Sequence, residues 1–111
     1  MPFDEELANR VRDLIQGEEG VSERKMFGGL AFLVNGNMAV AASGQGGLLV
    51  RADPKRSDEL TNRPHVELAV MQGRTMDGWL RVSGDGVRTE AQLRRWVEVG
   101  VSYARALPSK R

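Results

Sequence analysis

Residues 30–42 read LAFLVNGNMAVAA, and the fold turns on how that stretch pairs with itself. Asn35-Gly36 is a type I′ turn signal, because both central residues of that turn need positive φ, which Asn and Gly tolerate. With these two residues at the tip, Val34 pairs with Asn37, Leu33 with Met38 and Phe32 with Ala39. One face then carries Leu30, Phe32, Val34, Ala39 and Ala41, and the other carries Ala31, Leu33, Met38 and Val40. Both faces are apolar. A hairpin with one face in water alternates apolar with polar residues. This one is therefore expected either to lie mid-sheet, covered on both sides, or to meet a second subunit.

On the N-terminal side of the hairpin, Asp4 precedes Glu5 and Glu6, and Leu7, Val11, Leu14 and Ile15 recur at helical spacing until Gly17 and Gly20. Acids in a first turn complement the helix dipole, so a helix is expected here. On the other side, Ser43–Gly47 reads as a loop and Leu48–Arg51 as a strand. Asp53-Pro54 reads as an N-cap and first helical residue, opening a short helix over Lys55–Leu60. Val66–Val70 is expected to be extended, Gln72–Gly78 a loop and Trp79–Ser83 a strand. Thr89 with Gln92 forms a capping box, and Leu93, Trp96, Val97, Gly100, Val101, Ala104 and Leu107 make one helical stripe ending at Pro108. The expected fold is α+β: a mainly antiparallel sheet with an N-terminal helix, a short middle helix and a long C-terminal helix packed on it. A single domain over residues 1–107 is expected, with a loose basic tail at 108–111.

Composition narrows the class. A chain of 111 residues with 41% hydrophobic and 28% charged content is that of one globular domain. There is no cysteine, which excludes disulfides, thiolate metal sites and cysteine nucleophiles, and fits a cytoplasmic location. The first residues do not form a signal peptide, and no run approaches the ~18 apolar residues of a membrane span. The net charge is +1, but residues 74–111 carry a net of +4 and residues 1–73 a net of −3. That asymmetry permits a nucleic-acid reading in which Arg88, Arg94, Arg95, Arg105, Lys110 and Arg111 contact phosphates.

No constellation for bond chemistry is present. The glycines at 28, 29, 44, 46 and 47 fit neither GxxxxGK[ST] nor a GxGxxG motif between strand and helix, and a bulge or tight bend accounts for them. His65 is the only histidine and has no second one with which to hold a metal. The serines sit in caps, turns or helix surfaces, and the acid pairs Glu18-Glu19 and Asp58-Glu59 read as exposed loop and helix residues. No enzyme activity, metal or cofactor is expected.

Arg24-Lys25-Met26-Phe27-Gly28-Gly29, the Leu30–Val34 run with Asn35-Gly36, and Met76-Asp77-Gly78-Trp79 together resemble the N-terminal domain of the TfoX/Sxy competence regulators, over a span from Phe3 to about Leu107. The resemblance implies helices packed on an antiparallel sheet, often as a dimer. In the two-domain regulators this unit precedes a helical domain, and the whole helps activate competence genes alongside a cyclic-AMP receptor protein. No catalytic residues come with the family. The expected role is a cytoplasmic, non-enzymatic interaction module, possible in transcriptional regulation, with a protein partner that the sequence does not name. Its expected partner surface is Arg24, Lys25, Met26, Phe27, Gly28 and Gly29, with Arg74, Met76 and Trp79. A homodimer is expected through Leu30, Ala31, Phe32, Leu33, Met38 and Val40.

Overall fold

A computed structural model describes residues 3–26 and 28–109. Glu5–Ile15 forms α1, whose N-cap Asp4 accepts a hydrogen bond from the Leu7 amide at 3.1 Å. The strands are β1 (Val21–Met26), β2 (Gly29–Val34), β3 (Asn37–Ala42), β4 (Leu48–Arg51), β5 (Val66–Met71) and β6 (Arg74–Val82). A 3₁₀ turn at Pro54–Arg56 leads into α2 (Ser57–Thr61), and a second at Gly84–Val87 precedes α3 (Glu90–Ala106). The Thr89–Gln92 capping box is formed in both directions, at 3.1 and 2.9 Å.

All six strands join one antiparallel sheet in the order β1-β2-β3-β4-β6-β5. The expected α+β architecture is the observed one. Asn35 and Gly36 take φ of 53° and 83°, so the turn forms as its residues require. Gln72 and Gly73 repeat that geometry at 52° and 78°, closing a second two-residue hairpin between β5 and β6. The stretch expected as a loop over Gln72–Gly78 is therefore mostly strand, since β6 starts at Arg74.

Two irregularities curve the sheet. Leu33 pairs with Met38 as expected, but Phe32 pairs with Val40 instead of Ala39, and Ala31 with Ala41. The extra residue in β3 is a bulge, and it exchanges the faces of Val40 and Ala41 relative to a regular hairpin. On β6, Leu80 pairs with Leu68 and Met76 with the adjacent Ala69, leaving Asp77, Gly78 and Trp79 without partners on β5. On the β4 side the ladder continues, with Trp79 opposite Arg51 and the Ala52 amide donating to the Gly78 carbonyl at 2.7 Å.

Each face of the sheet carries its own buried cluster. All three helices pack on one face, where Leu7, Val11, Leu60, Leu93, Trp96 and Val97 meet Phe32, Val34, Val40, Val50 and Leu80. The other face holds Ala31, Leu33, Met38, Ala41, Leu49 and Ala69, flanked by Met26, Met71 and Trp79. These residues come from all six strands and none comes from a helix. Bulges increase local twist, and the small side chains at 31, 41 and 69 let the curved sheet close over its own inner face. The hairpin is central and buried on both sides within one chain.

Candidate interaction surface

β1 is an edge strand, paired only with β2, and Ser22, Glu23, Arg24 and Lys25 are all exposed. Its outer row of backbone N–H and C=O groups has no partner strand. Side chains alternate across it. Lys25 stands opposite Leu30 on the helix-covered side, while Arg24 stands opposite Ala31 on the side of the second cluster. Neither cation has an ion pair among the described residues. Glu23, just before them, is committed to Arg12 of α1 through bonds of 2.6 and 2.9 Å. The bond from Arg12 holds the Glu23 carboxyl below its usual range. A carboxyl whose pKa is depressed by folding stabilises above its unfolded pKa and loses that contribution as pH falls through the folded one. Denaturant midpoints compared between the parent chain and Glu23→Gln should therefore converge on acidification below the ordinary glutamate range.

The rest of the RKMFGG motif is partly structural. Met26 packs against the second cluster, and Phe27 lies outside the described residues. Gly28 has φ of +76° in the turn, and a Cβ on Gly29 would stand 2.2 Å from the Ala42 carbonyl oxygen. Glycine at 29 is therefore required by the approach of β3.

Arg74, Met76 and Trp79 lie on β6. Arg74 is exposed beside the β5–β6 turn, Met76 is half-buried opposite Ala69, and Trp79 packs on the second cluster. The register separates this group from the first one. Met26 and Gly29 are at the end of the sheet that holds Ala42, Leu48 and Val82, whereas Arg74 lies beyond Trp79 at the opposite end and on the other side of the strand order. Arg74 thus stands apart from Met26 and Gly29 along the strands, while Met26 and Trp79 both flank the second cluster.

A residue missed in the sequence is Arg51. Half-buried at the end of β4, its guanidinium carbon lies 5.0 Å from the Trp79 ring centre and 5.7 Å from that of Tyr103 on α3. Both distances suit cation–π attraction. It has no carboxylate partner among the described residues. The available signal was a cation at the position of LLVR that shares a sheet face with Leu49.

The residues expected at a dimer contact lie on both faces of the sheet, by strand alternation and, for Val40, by the bulge. Leu30, Phe32 and Val40 are in the helix-covered core, and Ala31, Leu33 and Met38 are in the second cluster. None of the six exposes more than 8% of its surface. A second copy laid on either set would remove little further apolar area from water. The apolarity that pointed to another subunit is accounted for inside one chain.

Of the arginines of the nucleic-acid reading, Arg95 has no ion pair among the described residues and three others do. Arg88 is bonded to Asp85, Arg94 to Glu90 at 3.2 Å and Arg105 to Glu18 at 2.8 Å, while Lys110 and Arg111 lie outside the described residues. A groove of about 960 Å³ between α1 and α3 has a floor including Leu14, Val97 and Val101, with charges of both signs around it. No group of three or more potential metal ligands occurs among the described residues. No helix there is long and apolar enough to cross a membrane.

Comparison with protein families matches the TfoX N-terminal domain over residues 13–104. The chain belongs to that family. The matched span runs from within α1 to the last turn of α3, so it includes the whole sheet and both motifs described above. Comparison with curated proteins and with solved structures matched none.

Proposed function

We propose that this TfoX N-terminal domain is a non-enzymatic interaction module of a regulatory system, engaging a protein partner along the open edge of β1. The observation that carries the reading is the exposed run Ser22–Lys25, an unpaired strand edge bearing two cations without ion pairs. Such an edge accepts an added strand through main-chain hydrogen bonds, with side-chain contacts setting specificity. Arg24 and Lys25 select an acidic segment and disfavour a second copy of the same basic edge. Family membership supports a regulatory role, and the open edge with its two unpaired cations makes β1 the principal contact. Arg51 with Trp79 is held apart from it on β4 and β6.

The test is a pull-down from lysate of the source organism, with nuclease, comparing the parent chain with Arg24→Ala/Lys25→Ala. Both side chains are exposed, so stability should change by no more than about 0.5 kcal/mol, while recovery of the partner falls. Equal recovery by the variant, or loss of stability with binding intact, would sink the proposal. Light scattering adds a second reading. A mass near 12.2 kDa leaves the edge for a different protein, and twice that value directs it to a second copy.

A further inference from the structure

We infer that a hollow beside the first turns of α3 binds a terminal phosphate group of a small molecule. The hollow has a volume of about 300 Å³ and is lined by Arg63, His65, Gln92, Arg95 and Trp96, with Gly86 and Ala91 in its wall. That is at the lower end of small-ligand sites, which begin at about 300 Å³. No carboxylate lines it. Arg63, His65 and Arg95 have no side-chain ion pair or hydrogen bond among the described residues. The nearby acid Glu59 is bonded by Arg56 at 3.0 Å, and the charge of Arg63 also helps to hold its carboxyl below the usual range.

The walls are held by packing rather than by loop chance. His65 takes φ of +69°, and its carbonyl accepts from the Ser83 amide at 2.9 Å. The Gly86 amide donates to the Ser83 carbonyl at 2.8 Å. A Cβ on Gly86 would stand 2.6 Å from Val82 Cγ1 and 3.0 Å from His65 Cβ, so the missing side chain lets the histidine segment close on the 3₁₀ turn. Gln92 spends its Oε1 on the Thr89 amide at 2.9 Å, leaving its Nε2 hydrogens as donors.

The deciding group is Trp96. It is only 5% exposed and belongs to the helix-covered core, yet it lines this hollow. Its indole Nε1–H has no hydrogen-bond partner among the described residues, and the atom is not among the sealed, unsatisfied ones. The indole N–H is therefore open to an acceptor from outside the chain, on a residue that lines a hollow with two unpaired arginines. Guanidinium, imidazole, amide and indole groups line one hollow with no carboxylate in its wall, which is the chemistry of an oxyanion site.

A terminal phosphate suits the hollow better than a polynucleotide. A monoester can turn three oxygens inward, toward donors on several sides. A backbone needs a run of cations, and the neighbouring Arg88 and Arg94 are already bonded to Asp85 and Glu90. This inference is independent of the β1 reading, because Arg24 and Lys25 lie on another element.

Nuclear magnetic resonance of the full chain tests it, since the indole N–H groups of Trp79 and Trp96 report separately. Glycerol 3-phosphate and inorganic phosphate are titrated at constant ionic strength against chloride. Trp96 is expected to shift saturably with both phosphates while Trp79 stays still, and chloride has no effect. Arg63→Ala and Arg95→Ala remove exposed or half-buried cations and should each weaken binding about tenfold, with unchanged melting. An absent or non-saturating Trp96 shift would overturn the inference, as would parental affinity in both variants. Tighter saturation of the same resonance by duplex DNA would overturn the choice of a small phosphate.

Discussion

Gly100→Ala is expected to destabilise the protein, although helix propensity alone predicts the opposite. Alanine is favoured over glycine in a helix interior by about 1 kcal/mol, and Gly100 lies well inside α3. Its Cα, however, faces β3. A Cβ there would stand 2.4 Å from the Ala39 carbonyl oxygen, 2.7 Å from Val40 Cγ1 and 2.9 Å from the Ala39 carbonyl carbon. Two of those atoms are backbone within a buried strand and cannot turn aside, so α3 must lift from the sheet. Overpacking of about 3 kcal/mol set against the propensity gain leaves a net loss of about 2 kcal/mol. The melting temperature should fall by roughly 10 °C. Gly17→Ala is the control, because nothing lies within 4 Å of a Cβ placed there. An unchanged or raised melting temperature for Gly100→Ala would mean that α3 does not pack this closely on Ala39. The position also bears on the phosphate hollow, since Trp96 is one turn away on the same buried stripe.

That close approach was invisible in the sequence, where Gly100 read only as a small member of the α3 stripe. What was legible followed from local chemistry. Asp53, the Thr89–Gln92 pair and Asn35-Gly36 each satisfy a backbone need within a few residues, and each formed as expected. Features requiring a partner strand were missed. β1 reads VSERKM, with four exposed residues between two half-buried ones, because an edge strand with little to bury has no alternation to display. Gln72-Gly73 escaped notice because glutamine is an uncommon residue at positive φ. The bulge in β3 inserts one residue into an all-apolar strand, where polarity carries no phase to mark the slip. That displacement exchanged the faces of Val40 and Ala41, while the expectation of a second subunit came from apolar residues on both faces, which the sheet itself buries. The candidate surfaces followed the same division. Arg24 and Lys25 were legible as partner-surface cations through the RKMFGG motif, whereas Arg51 and the group around His65 depend on α3 crossing the sheet.

The largest loss is expected from Asn37→Asp, a change of one amide to a carboxyl of nearly equal shape. Asn37 opens β3 yet is only 1% exposed. Its Nδ2 donates to the Pro108 carbonyl at 2.9 Å and lies 3.5 Å from that of Ala104, so it ties the hairpin turn to the end of α3. Its Oδ1 has no hydrogen-bond partner among the described residues. An ionised aspartate would lose the donor, face those carbonyl oxygens and leave a charge buried without a partner, at a cost of about 3–5 kcal/mol near neutral pH. The side chain escapes by holding a proton, which places its folded pKa above the unfolded value of about 3.9. The folded state then binds more protons than the unfolded one between those two values, so the loss grows with rising pH across that interval and levels off above it. Below the unfolded value the protonated acid can donate to Pro108 again, and the variant should approach the parent. Urea midpoints for both proteins across that range, taken as differences, remove the contributions of Glu23 and other shared carboxylates. Asn37→Ala removes the donor without adding charge and should cost about 1–3 kcal/mol with no comparable pH dependence. A flat pH profile for Asn37→Asp would place this side chain in water and detach the hairpin from the end of α3. A steep one would show that the single polar side chain in NMAVAA ties the hairpin turn to the end of α3.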